Sequence, residues 1–285
     1  MPNCSSKLSF PIFADDTNVF YATKNANELQ TVMNEEFEKI LLYCKTNKLS
    51  VNLNKTNFML ITNKKLIPQI SIANIERKPC IKYLGVYLNE KMNWSYQIKH
   101  VNNKLAKNLG ILSKLRYYLN LKTMKQIYYN LIFPYLNYAL LSWGNTHKTK
   151  LTKIITKQNK AVKLMLFARI RENASPYYTL LEILPINNLI KLKAACFTYQ
   201  IINNPSTTPE SFHDYLQLAS NIHNYNTRYA SNKNIQRPKA RTQFKLQTFK
   251  FYASQLWEAI PNYLKESKTL TIFKKEYKLF LITSI

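Results

Sequence analysis

Two short apolar segments, Phe10-Pro11-Ile12-Phe13 and Val19-Phe20-Tyr21-Ala22, flank Ala14-Asp15-Asp16-Thr17 near the start of the chain. Aromatic and β-branched residues on either side of turn-forming aspartates predict a hairpin with carboxylates at its tip. Asn25, with Glu28 three residues on, then predicts a helix start of the capping-box kind. Leu29, Met33, Phe37, Ile40 and Cys44 recur every three or four residues on one face of that helix, with Glu28, Glu35, Glu38 and Lys39 off it. Polar residues 48–55 read as a turn, and 57–62, 70–72 and 81–88 read as strands punctuated by Pro68 and Pro79. Residues 9–88 are therefore expected to form a small unit of one helix packed on antiparallel strands.

Beyond Leu88 the apolar spacing becomes helical, over approximately 94–119, 122–143, 151–169, 186–202, 244–260 and 269–281. Stretches 202–210 and 221–241 read as loops. The most apolar run, 127–143, contains Asn130, Pro134 and Asn137 and falls short of the ~20 residues of a membrane span, so a buried, proline-kinked helix is expected. The expected fold class is α+β, a small antiparallel sheet with one packed helix followed by a mostly α-helical remainder, divided at 1–90, 91–172 and 173–285.

Charge narrows the function. Lys+Arg total 41 against 15 Asp+Glu, a net +26 among 285 residues, which calls for a polyanionic partner, nucleic acid first. With only 3 glycines, no glycine-rich phosphate loop can form, and the 4 cysteines and 4 histidines lack zinc-site spacing. No acidic residue occurs between Glu90 and Glu172 or between Asp214 and Glu258. Within the first of these stretches Ile98, Val101, Leu105, Leu109, Leu112 and Leu115 share a helical face, and Lys99, Lys107 and Lys114 fall opposite. A lysine face without interspersed glutamates suits a phosphate backbone better than a generic solvated surface. Tyr117, Tyr118, Tyr128 and Tyr129 beside it suit either bases or core.

Adjacent aspartates on a hairpin supply part of a two-Mg²⁺ site for nucleotidyl transfer, whose ions lie about 3.5–4 Å apart. A third carboxylate normally comes from a separate strand; residues 1–14 contain none, and the downstream acidic residues sit in helices or loops.

Phe13-Ala14-Asp15-Asp16-Thr17, then Leu49-Ser50-Val51-Asn52-Leu53-Asn54-Lys55-Thr56, Lys82-Tyr83-Leu84-Gly85-Val86 and Trp94 occur in an order and spacing that resemble the palm and thumb of reverse transcriptases from non-LTR, LINE-type retrotransposons. Gln158-Asn159-Lys160-Ala161, Tyr225-Asn226-Thr227-Arg228, Leu256-Trp257 with Pro261, and Phe273-Lys274 resemble the helical C-terminal region of such elements. The resemblance implies a partial palm over 1–90, a basic thumb over 91–172 and a helical C-terminal region over 173–285. It implies that Asp15 and Asp16 are catalytic, Mg²⁺-binding residues, that Lys55 is a cation or proton donor near the leaving pyrophosphate, and that Tyr83, Leu84 and Gly85 form a primer-gripping hairpin. On the residues alone, Lys55 reads equally as a loop lysine at a strand start, and Gly85 as a bulge or close-approach site.

The implied partners are an RNA template and a DNA primer, with no membrane, and the implied location is the nucleus. In the family the fingers, the strand bearing the first catalytic aspartate and a Gln-Gly motif precede the acidic hairpin. A missing N-terminal polymerase segment is therefore expected, with weak Mg²⁺ binding, no polymerisation by these residues alone, and an acidic hairpin less well held than the helices. The alternatives are a non-catalytic basic nucleic-acid-binding protein and a helical protein that meets an acidic protein partner.

Overall fold

A computed structural model of the chain describes residues 4–14, 16–64, 67–222, 225 and 227–284. They fall into two units, Met1–Tyr96 and Gln97–Ile285. In the first unit β1 (Ile12–Phe13) and β2 (Asp16–Thr17) pair antiparallel, Ile12 opposite Thr17 and Phe13 opposite Asp16. A Ser9–Phe20 bridge, with backbone bonds of 3.0 and 2.9 Å, extends this hairpin.

Helix α1 (Ala26–Thr46) organises the first unit. Its N-cap is Asn25, as expected, whose side chain accepts from the Asn27 N–H at 3.0 Å. Glu28 does not close a capping box. Its carboxylate accepts from Tyr21 Oη at 2.9 Å and Thr23 Oγ1 at 2.8 Å, while the Asn25 N–H donates to Thr23 Oγ1 at 3.3 Å. The Thr23 hydroxyl satisfies the amide that Glu28 would have taken, and Glu28 is left to tie the hairpin to the helix.

One side of α1 packs Ile40 and Cys44 with Leu8, and Phe10, Val19 and Tyr21 of the hairpin region lie against them. Another side, through Leu29 and Met33, meets Leu60, Ile70 and Ile72. Glu36 is also enclosed, 1% exposed, and pairs with Lys39 at 2.8 Å.

The remaining strands differ from the expected antiparallel sheet. β3 (Asn57–Phe58) pairs parallel with β4 (Glu76–Arg77), and β5 (Cys80–Tyr83) pairs antiparallel with β6 (Val86–Asn89). The described strands thus form three separate two-stranded ladders. Ile70 and Ile72 are core residues, but 70–72 is not a strand. The Ser71 N–H donates to Gln30 Oε1 (3.1 Å), Asn34 Nδ2 donates to Ser71 O (3.2 Å), and the Ala73 N–H donates to Asn34 Oδ1 (2.7 Å). Side chains of α1 satisfy the backbone groups that a neighbouring strand would otherwise have to serve.

The rest is helical: α2 (Ser95–Leu115), α3 (Leu121–Leu131), α4 (Phe133–Asn137), α5 (Leu140–Trp143), α6 (Lys148–Met165), α7 (Ser175–Leu181), α8 (Ile186–Asn203), α9 (Arg228–Ser231), α10 (Gln243–Leu246), α11 (Phe249–Glu258), α12 (Asn262–Lys265) and α13 (Leu270–Thr283). The helix expected over 122–143 is broken twice, at Ile132, after which α4 restarts with Pro134 in its first turn, and at Ala139, whose φ of 48° is left-handed. The expected kink is therefore a pair of breaks. Helix α8 is buried on most of its circumference and packs against α5, α11 and α13. No described helix is long and apolar enough to cross a membrane.

The main polar exception in this core is Gln158 of α6, 1% exposed. Its Nε2 donates to Tyr128 Oη and to Leu184 O, both at 2.9 Å, and its Oε1 accepts the Ile186 N–H at 2.7 Å. One amide thereby links α3, α6 and the entry to α8.

Gln158→Leu keeps the volume and orphans the Ile186 N–H and the Leu184 carbonyl; at about 1–3 kcal/mol per unsatisfied buried group, we expect a loss of about 2–6 kcal/mol in urea unfolding. A value within error of the parent would contradict this role. In native-state hydrogen exchange, the short exposed ladder at Ser9, Asn18 and Phe20 is expected to exchange through local opening, faster than the amides of α8.

Candidate functional site

Of the expected acidic pair, Asp16 is exposed on β2, opposite Phe13, after a turn in which Ala14 has a left-handed φ of 52°. Asp15 lies outside the described residues. Lys55 is exposed in the turn before β3, and its N–H donates to Asn52 O at 3.1 Å and Asn52 Oδ1 at 3.3 Å. Asn52 shapes this turn by bonding the backbone ahead of it, a habit of Asn that the motif alone did not bring out. Among the described residues Lys55 forms no ion pair.

Several carboxylates of this unit have other partners. Glu28 is held below the usual carboxylate range, chiefly by the Thr23 hydroxyl and then by Tyr21. Glu90 receives Arg77 Nη2 at 2.9 Å and Nε at 3.0 Å. Among the described residues no group of three or more His, Cys, Asp or Glu side chains is placed to hold a metal ion. A carboxylate such as Asp16 has the hard oxygen chemistry that Mg²⁺ prefers, but one exposed carboxylate is not a cage for two ions, and no step below is routed through a metal.

The expected primer-gripping residues occupy a hairpin tip. Tyr83 pairs with Val86, leaving Leu84 and Gly85 as a two-residue turn with φ of 44° and 80°. Both being left-handed is the requirement of a type I′ turn, which Gly85 meets without strain and Leu84 at a cost of about 1–2 kcal/mol. Gly85 is thus a turn residue and not a bulge. Lys82 is exposed opposite Tyr87, whereas Val86 and Asn89 are buried.

In the second unit Ile98, Val101, Leu105, Leu109 and Leu112 of α2 are buried, and Lys99, Lys107 and Lys114 are exposed together with Lys104. Asn103, Ala106 and Gly110 lie between the lysines, and the space beside Gly110 is open. The tyrosines divide. Tyr128 is core, its phenol pushed well above its ordinary value by burial, and Tyr129 is half-buried against Tyr128 and Phe133. Tyr117 and Tyr118 are exposed, and two residues that spacing did not single out, Arg116 and Phe167, meet Tyr117.

The C-terminal motifs prove to be joints of the helical fold. Gln158 is the buried tie described above, Thr227 caps α9 through the Ala230 N–H, and Asn226 lies outside the described residues. Trp257 Nε1 donates to Lys233 O at 3.0 Å, and Phe273 stacks on Tyr199 at 4.8 Å. Lys265, 5% exposed, donates to Asn234 Oδ1 at 2.9 Å and lies over the Trp257 ring at 5.9 Å; burial lowers its pKa.

No family model matches the chain, and no solved structure does. A similarity is found with the probable RNA-directed DNA polymerase from transposon BS of Drosophila melanogaster, 25% identical over 168 residues. The match takes in 55% of this chain and 18% of that protein, so the chain spans less than a fifth of the relative's length. The similarity supports a relationship to the reverse transcriptases of retrotransposons, the direction in which the acidic hairpin and the motifs after it point.

Proposed function

We propose that these residues are part of an RNA-directed DNA polymerase of a non-LTR retrotransposon, comprising the C-terminal part of the palm, the thumb and the following helical region. The observation that carries the reading is the 168-residue similarity to a transposon polymerase, together with the ordered motifs from Phe13 to Trp94. In this reading Asp15 and Asp16 contribute two ligands to a Mg²⁺ site that other residues complete, Lys55 stands near the departing pyrophosphate, and the Tyr83-Leu84-Gly85 tip guides the primer end. The reading carries a nuclear site of action, where a chromosomal target would be copied into.

By themselves the 285 residues bind nucleic acid and do not polymerise. The first 14 residues contain no carboxylate to complete the acidic pair, and Glu28 and Glu90 are engaged by Thr23, Tyr21 and Arg77. The lysines of α2 give the binding its physical basis, since Lys99, Lys104, Lys107 and Lys114 are exposed on the side opposite the buried stripe. Each phosphate contact releases condensed counterions, so affinity falls steeply with salt. A flat salt response would favour the acidic-protein-partner alternative.

A primed RNA template offered to the purified chain with Mg²⁺ and nucleotides is expected to give no extension product; extension that Asp15→Asn abolishes would overturn the inactivity. For binding, the triple variant Lys99→Gln, Lys107→Gln, Lys114→Gln is expected to reduce the slope of log affinity against log salt by about 2–3, at roughly 0.7–0.9 per phosphate contact. An unchanged slope would remove α2 from the interface.

A further inference from the structure

Exposed aromatic side chains gather around one cation where α2 and α6 end. Past the last turn of α2, the Tyr118 and Leu119 N–H groups both donate to Leu115 O, at 3.0 and 3.2 Å, which turns Arg116-Tyr117-Tyr118 onto the surface. Helix α6 closes with the Ala168 N–H donating to Lys163 O at 3.0 Å, the bond of a Schellman cap. That cap puts Phe167 at the left-handed position, φ 56°, where glycine is the ordinary choice. The Arg116 guanidinium sits 4.8 Å from the Tyr117 ring centre and 4.7 Å from that of Phe167, and the two rings meet edge-on at 5.8 Å. Arg116 Nη2 donates to Tyr117 Oη at 3.0 Å, its buried Nε has no hydrogen-bond partner, and it forms no ion pair with any described carboxylate.

Packing does not account for this cluster. Tyr117 is 67% exposed, Tyr118 84% and Phe167 56%, so most of their surface remains in water. Phe167 holds the left-handed position of the cap while more than half exposed, so the turn leaves its ring open to solvent. The setting is cationic, with exposed Lys114, Arg169 and Arg171 beside the aromatic residues in sequence and no acidic residue from 91 to 171. Flat π-faces among unpaired positive charges complement a ligand that carries flat rings on an anionic chain.

We propose that Tyr117 and Phe167, steadied by Arg116, form with the neighbouring exposed Tyr118 a stacking site for unpaired bases of single-stranded nucleic acid, with Lys114 and Arg169 meeting the adjoining phosphates. The proposal rests on the reading that the chain binds nucleic acid, and it adds a discrimination that the α2 lysine face does not provide. Duplex bases are already stacked and unavailable to the platform, whereas a single strand can lay its bases on it.

The test is fluorescence anisotropy of the full chain with a labelled oligothymidylate, the same strand carrying abasic positions, and a duplex of equal length. Tyr118→Ala and Phe167→Gly are each expected to weaken oligothymidylate binding roughly 5- to 100-fold and to leave abasic-strand and duplex binding unchanged. Tyr118→Trp retains the affinity. Phe167→Gly relieves the left-handed strain, so its thermal midpoint does not fall, which separates a lost ring from a lost fold.

Variants that bind oligothymidylate like the parent, or that lose abasic-strand binding equally, overturn the stacking site and leave the nucleic-acid reading intact. A parent chain that binds none of the three probes overturns both. Polyglutamate that binds the parent and is lost in the same variants would reassign the cluster to an acidic protein partner and overturn the proposal.

Discussion

The buried amide of Gln158 sets the geometry of the second unit, because its bonds reach α3 through Tyr128, and both flanks of Pro185 through Leu184 and Ile186. Apolar helix faces alone permit sliding, since one Leu-Ile-Val surface packs on another in many registers. A satisfied polar group in a low-dielectric core does not, since any slip strands a donor or an acceptor. Neighbouring Asn159 accepts from Tyr178 Oη at 2.8 Å, adding α7 to the same junction. With α6 and the start of α8 fixed, α5, α11 and α13 pack around α8.

That internal arrangement sends the cations outward. Helix α2 turns a continuous apolar stripe inward, and α6 does so with Leu151, Ile154, Ala161, Val162 and Met165, leaving Lys99, Lys107, Lys114, Lys153 and Lys160 exposed. Like charges on one surface repel, and few carboxylates offset them in this part of the chain. A polyanion would relieve the repulsion, so the electrostatic cost of the free protein and the nucleic-acid affinity proposed for it have the same origin. The exposed tyrosines add to this surface, whereas Tyr128 and Tyr178 belong to the core.

Left-handed backbone recurs at non-glycine positions of this chain. With so few glycines, the chain places Leu84 in a type I′ turn and Phe167 at a helix C-cap, both left-handed. Gly144 answers a different need: a Cβ there would come within 2.5 Å of Leu140 O, so only glycine allows the end of α5 to lie where it does. Leu84 is half-buried at its turn, whereas Phe167 is exposed at its cap.

The sequence by itself determined the stripes of α1 and α2, the Asn25 cap, the lysine face and the acidic hairpin, because each follows from a local period or from neighbouring residues. It also determined the helical character of the remainder, and its motifs from Phe13 to Trp94 point the same way as the similarity to a transposon polymerase. Tertiary structure decided what those local rules do not reach. The backbone of 70–73 went to the side chains of Gln30 and Asn34 and not to a strand, because those residues arrive from a helix some forty positions earlier. Glu28 left the capping box for Tyr21 and Thr23, since the hairpin brings those hydroxyls to it. Lys55 was placed on an exposed turn and Asp16 on the exposed strand β2, and the motif residues Gln158, Trp257 and Phe273 became packing joints. Arg116 and Phe167 came together only through the ends of two helices distant in sequence, a proximity that no periodicity encodes because packing alone creates it.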